Sequence, residues 1–148
     1  MTDADKPWTV KLLIGLIIVQ ALSAIGGGVG LIQDPVENIG MPVSLLEGSP
    51  FDDYLIPGLI LLVVVGLEPL IAFFGLIKGH TWGWWVALVA GGDLLIWVIA
   101  EILLLGYLPG FGIALQIIYG LVAVAILGCA LARATRDYYE VSLGASAV

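Results

Sequence analysis

Residues 111–132 read FGIALQIIYGLVAVAILGCALA, twenty-two residues without one charge. A helix rises 1.5 Å per residue, so a run of this length reaches across a hydrocarbon core of roughly 30 Å. Arg133 and Arg136 follow directly, as bases do where a span leaves the membrane on its cytoplasmic side. Working back toward the N-terminus, three more apolar runs of spanning length occur, at about 82–105, about 54–77 and about 9–31. The second helix is expected to begin outside the hydrocarbon, near residue 50. The connections at 78–81 and 106–110 are short enough to make their helices antiparallel neighbours. The expected fold is therefore all-α. It is a four-transmembrane-helix antiparallel bundle in a single integral membrane domain spanning 1–148, with helices at about 9–31, 50–77, 82–105 and 111–132 and a cytoplasmic tail at 133–148.

Composition leaves little room for another class. The chain is 61% hydrophobic and 11% charged, with a mean hydropathy of +1.12. A soluble domain of this size exposes too much of its surface to hide that much apolar area. The apolar run at the N-terminus passes Ala21-Leu22-Ser23-Ala24, a small-residue pattern of the kind that ends a signal peptide. It continues to Ile32, however, past the usual h-region, and Asp3 and Asp5 accompany Lys6 ahead of it; we read it as the first span.

Orientation follows from charge. The five bases are Lys6, Lys11, Lys78, Arg133 and Arg136, and all fall on one side of this topology. The long connection from 32 to 53 carries Asp34, Glu37, Glu47, Asp52 and Asp53 and no base. The positive-inside rule then places both termini in the cytoplasm of a cell-membrane protein. Trp8, Trp82, Trp84, Trp85, Tyr138 and Tyr139 mark the inner interface, and Phe51, Tyr54, Tyr107 and Phe111 the outer one. The net charge of −7 and the absence of a basic cluster exclude nucleic acid as a partner.

The long outer connection is too apolar for a free loop. Ile39, Met41, Val43, Leu45 and Leu46 lie among Pro35 and Pro42, which predicts a segment folded over the bundle's outer end, with one or two helical turns at 43–47. Ser49-Pro50-Phe51-Asp52 then reads as a helix start, with Ser49 at the N-cap and Pro50 at the first helical position. Pro57 would fall inside that helix and kink it, and Pro69 again just past the midplane.

The stretch LEGSPFDDYLIPGLIL at 46–61 resembles one in small four-span prokaryotic membrane proteins that carry no assigned activity. The likeness extends more loosely through Trp97, Glu101, Gln116, Tyr119 and Gly120. It implies the topology and transfers no site.

Two sets of residues stand out inside the spans. Small residues suited to close helix packing are Gly26, Gly27 and Gly30 in the first helix, Gly83, Ala87 and Gly91 in the third, and Ala125, Gly128 and Ala132 in the fourth. Polar residues are rarer. Gln20 and Asp93 fall near the midplane and Glu68 within about a turn of it, while Glu101 and Gln116 lie roughly 8–11 Å toward the outside. No base sits at these depths. Either the acids are neutral hydrogen-bond donors locking the bundle, or they form a proton- or cation-linked site.

Catalytic chemistry finds no support. His80 lies in a connection beside Lys78, and Cys129 is the only cysteine. No zinc or haem ligand set, thiol pair or nucleophile–base arrangement follows, and no cofactor or metal is expected. The expectation is a non-enzymatic multi-pass protein, an accessory or structural subunit or a homo-oligomer. Its partners would be membrane lipids and, beyond them, copies of itself or a larger membrane complex. The alternatives are a small proton- or cation-coupled carrier using the intramembrane carboxylates, and a lipid- or hydrophobe-binding bundle.

Overall fold

The computed structural model describes residues 5–38 and 41–141. Four helices are long and apolar enough to cross a membrane: α1 (Trp8–Gln33), α2 (Leu55–Ile77), α3 (Thr81–Leu105) and α4 (Phe111–Leu131). They form an all-α bundle in which α1 packs on α2 and α4, and α3 packs on α2 and α4. The core holds Leu13, Ile17, Val65, Ala72, Trp84 and Ile126. Large apolar side chains on the outward faces stay exposed, among them Leu22, Ile96, Leu103 and Leu121. A bilayer is the solvent that suits such faces, because a helix pairs its backbone groups internally and needs no water along its length. The chain is a multi-pass membrane protein.

The predicted boundaries hold to within two residues except at the start of the second helix. That helix begins at Leu55, not at residue 50. The cause is Pro57. Starting at Leu55 places Pro57 in the first turn, where a missing N–H is harmless, and the first helical bond then runs from Gly58 N to the Tyr54 carbonyl at 2.8 Å. Asp53 caps the turn, its Oδ1 accepting from Leu55 N at 2.9 Å. Ser49 Oγ accepts only from Phe51 N, at 3.3 Å, within a bend. The expected cap at Ser49 and the expected kink at Pro57 are thus both corrected. Pro69 does mark an irregularity: residues Leu61–Leu67, just ahead of it, are π-helical. A proline nitrogen cannot serve the carbonyl four residues back, and a π segment is one way a helix absorbs that misfit.

At one end of the bundle the chain after α4 turns at Ala132, where ψ is 138°, and forms α5 (Arg133–Tyr138). The turn leaves the Ala130 carbonyl without a helical donor, and the indole N–H of Trp84 fills the place at 2.7 Å. Thr135 Oγ1 donates to Thr9 Oγ1 at 2.8 Å. Tyr139 donates its hydroxyl to the Leu76 carbonyl at 2.9 Å, and its own carbonyl accepts from Thr81 Oγ1 at 2.8 Å. Residues 133–139, expected as a tail, are therefore fastened beneath the spans, and the expectation is corrected to that extent. Burial pushes the Tyr139 phenol well above its ordinary pKa, with neighbouring Tyr138 adding to it.

The opposite end is capped by the long connection. A two-residue ladder pairs β1 (Glu37–Asn38) with β2 (Met41–Pro42), and a 3-10 turn follows at Val43–Leu46, where helical turns were expected. Ile39, also expected in this cover, lies outside the described residues. Tyr54 anchors the cover twice. Its N–H donates to the Pro35 carbonyl at 3.0 Å and its hydroxyl to the Pro42 carbonyl at 3.1 Å. Tyr54, Leu31 and Leu46 make a second small core there.

Candidate ligand-binding site

The small residues decide where the helices touch and, by difference, where they part. A Cβ added at Gly83 would stand 2.6 Å from Leu76 N and 2.7 Å from Gly75 Cα, so α2 and α3 meet backbone to backbone beside α5. At Gly91 it would meet Ile126 Cγ2 at 2.7 Å, closing α3 on α4. Ala87 is fully buried on the same row. In α1 the tight position is Gly28, where an added Cβ would lie 2.7 Å from Leu62 N. Gly26 has nothing within 4 Å, and Gly27 meets only Leu61 Cδ2 at 3.3 Å. Gly128 likewise has nothing within 4 Å and is exposed. Gly26 and Gly128 are thus corrected: neither packs a helix within the chain. Gly30, Ala125 and Ala132 are half-buried. Gly58, Gly66 and Gly75 were missed, although each sits against Leu31, Ile25 or Gly83 at distances only a hydrogen side chain permits. Three consecutive glycines cannot reveal which one faces the neighbour, and isolated glycines in α2 form no stripe.

Gln20 is fully buried and ties three helices together. Its Nε2 donates to the Val65 carbonyl of α2 at 3.3 Å and to the Ala90 carbonyl of α3 at 3.2 Å. In α-helical register the Val65 carbonyl would face the Pro69 nitrogen, which has no hydrogen to give. Both hydrogens of Nε2 are spent on carbonyls, and Oε1 is buried with no partner.

The carboxyls fall into two groups. Glu68 and Asp93 are neighbours across the α2–α3 contact. Nearer the covered end, Glu101 of α3 neighbours the side chain of Gln116 in α4. Gln116 is otherwise committed to the connection between those helices. Its Oε1 accepts from Leu108 N at 3.1 Å and its Nε2 donates to the Gly106 carbonyl at 3.2 Å. The five predicted polar residues are therefore not one site. Asp93 and Glu68 pair, Glu101 and Gln116 pair, and Gln20 lies apart from both pairs.

What joins them is space. A cavity of about 590 Å³ opens among all four helices in the covered half of the bundle. Gln20, Glu101, Gln116 and Tyr119 are among the residues around it, and Leu61 and Leu94 are typical of the rest. A second crevice of about 290 Å³ lies between α2 and α3 and is lined by Asp93 and Tyr54. Trp97 and Glu101 line both. No Lys, Arg or His lines either one. Mainly apolar walls, a few fixed polar groups and this volume are the general features of a small-molecule site, which occupies roughly 300–1,000 Å³. Among the described residues no three His, Cys, Asp or Glu side chains gather as a metal set would require.

No family model matches the chain, and neither a curated protein nor a solved structure matches it.

Proposed function

We propose that this chain is a non-enzymatic membrane protein that binds a small apolar or amphipathic molecule within its helices. The observation that carries the reading is the cavity of about 590 Å³ walled by all four spans beneath the Tyr54-anchored cover. Core packing leaves few voids larger than a water, so an opening of this size is the feature a guest would use. The accessory-subunit reading gains less from the fold: the exposed apolar faces are what lipid alone would cover. In orientation, the covered end faces outward and the end carrying Lys11, Lys78, Arg133 and Arg136 faces the cytoplasm, with both termini there. This rests on the grouping of bases at one end.

The test uses purified protein in nonionic detergent and tritiated decanol as probe, read by scintillation proximity. Saturable binding near one per chain is the expected result. Gly27→Phe should abolish it, because Gly27 lines the cavity and only the Leu61 side chain stands near its Cβ position. Equal binding in a folded Gly27→Phe variant would sink the proposal.

A second reading has one observation of its own. The Glu68–Asp93 pair places two titratable groups side by side within the spans, the arrangement a proton- or cation-coupled carrier would use. Proton flux into liposomes that disappears in stable Glu68→Gln and Asp93→Asn variants would establish it.

A further inference from the structure

The chemistry of the larger cavity narrows the class of its occupant, on the premise that the cavity binds a ligand. Its one ionisable carboxyl is Glu101, and no base lines the walls. Nothing there compensates a negative charge on a guest, so a carboxylate or phosphate would meet only repulsion. Gln116 stands beside Glu101, and its own bonds go to the connection between the helices, to Leu108 N and the Gly106 carbonyl. Trp97 precedes Glu101 by one helical turn and shares its face, and Tyr119 stands on α4 in the same lining. Aromatic rings beside a carboxylate are the surroundings that attract an organic cation.

Gln20 adds nothing polar to the surface that a guest meets. Gln20 is 0% exposed and lines the same cavity. Its Nε2 is spent on two backbone carbonyls, which leaves Oε1 as an acceptor that no donor of the protein meets. With no surface open to a water-sized contact, Oε1 belongs to the packed wall and not to the face a guest meets. The carboxyl beside Trp97 and Tyr119 thus asks for a guest with hydrogens on a positively charged nitrogen.

We propose that the cavity between the four helices binds an apolar amine in its protonated form, with Glu101 as counter-ion. The apolar part packs against Leu61 and Leu94, and the walls exclude anions. A two-chain phospholipid is too large for the space, and its phosphate would face Glu101. The ligand is therefore a free single-chain amine and not a lipid headgroup.

The experiment compares decylamine, decanol and decanoate on the wild-type protein at neutral pH in nonionic detergent, with tritiated decanol as the displaced probe. Decylamine should displace it at concentrations roughly ten- to a hundred-fold below those of unlabelled decanol, the range of a hydrogen bond to a charged group. Decanoate should bind more weakly than decanol. In Glu101→Gln the ratio of decylamine to decanol affinity should fall toward one, and a ratio within one variant needs no assumption about its overall affinity. Equal binding of decylamine and decanol to the wild type would overturn the amine assignment while leaving the cavity a site for neutral apolar molecules. An undiminished preference in folded Glu101→Gln would also overturn it. If decyl-chain lysophosphatidylethanolamine displaces the probe and decylamine does not, the site takes a headgroup and the proposal fails. Absence of any saturable binding would remove both the amine and the binding function beneath it. Should Glu101→Gln not fold, the three wild-type affinities still decide.

Discussion

Gly83→Ala adds one methyl group where the structure has no room for it. Its Cβ would stand 2.6 Å from Leu76 N and 2.7 Å from Gly75 Cα. Both neighbours are backbone, so no side chain can swing aside. The two helices must separate by several tenths of an ångström or more, and gaps of 0.5–1 Å already forfeit a quarter to a half of each affected dispersion contact. Overpacking of this kind costs about 1–3 kcal/mol. Alanine returns roughly 0.5–1 kcal/mol through its better helix propensity. Gly128→Ala is the matched control: nothing lies within 4 Å of its Cβ position, so only the propensity gain applies. Wild type should melt between the two, with Gly83→Ala below and Gly128→Ala at or slightly above it. For a chain near this size each kcal/mol moves Tm by about 2–4 °C. Far-ultraviolet circular dichroism during heating in nonionic detergent measures all three. A Gly83→Ala protein as stable as Gly128→Ala would refute the close contact of α2 with α3.

Trp84→Phe removes the donor to the Ala130 carbonyl and should cost about 1–3 kcal/mol, the range for a buried acceptor left unmet, in the same melting assay. Tyr139 should stay protonated at pH values where exposed tyrosines ionise. Its pKa is raised by burial, so the stability it contributes is present below about pH 10 and is lost as pH rises further; Tyr139→Phe should leave the phenolate absorbance titration unchanged up to unfolding. Glu68→Gln keeps a donor for Asp93 and should lie within about 1 kcal/mol of wild type, whereas Glu68→Leu leaves Asp93 without its partner and should lose about 1–3 kcal/mol. Matching melting curves for the two Glu68 variants would show that the pair is not formed.

Span positions were legible because a run of uncharged residues about as long as a bilayer is thick admits few readings, and 111–132 needs no neighbour to interpret it. The start of α2 was less legible, since two local signals compete. Ser49-Pro50 is a sound helix opening, yet Pro57 seven residues on is better accommodated in a first turn than in a helix interior, and the chain satisfies Pro57. The fastening of α5 was not legible at all. It depends on Thr135 meeting Thr9 and Tyr139 meeting Leu76, contacts between residues 126 and 63 positions apart that leave no local pattern. Polar residues at membrane depth were correctly singled out, but depth alone did not show which would pair. Glu68 and Asp93 meet because α2 and α3 are pinned at Gly75 and Gly83 nearby, and Gly75 belonged to no stripe that the sequence displayed.

The position of the cavities follows from the same glycines. In its later part, Glu68–Ile77, α2 rests mainly on α3, held by Gly75 against Gly83. In its earlier part, from Leu55 through the π-helical Leu61–Leu67, it rests mainly on α1, held by Gly58 at Leu31, by Gly28 at Leu62 and by Gly66 at Ile25. One helix cannot lie close to both neighbours along its whole length, so α2 leaves α3 as it approaches the cover. The π segment lies where the change of partner occurs, and Pro69 gives a reason for the irregularity there. The opening between α2 and α3 is the crevice lined by Asp93 and Tyr54, and Trp97 with Glu101 connects it to the larger cavity. Asp93 and Glu101 then line the gap and do not lie in the dense packing beside α5. A buried polar group is costly against packed hydrocarbon and less so where a guest can reach it. A gap that arises from backbone contacts made elsewhere persists without its guest, which is the preorganisation a binding site requires.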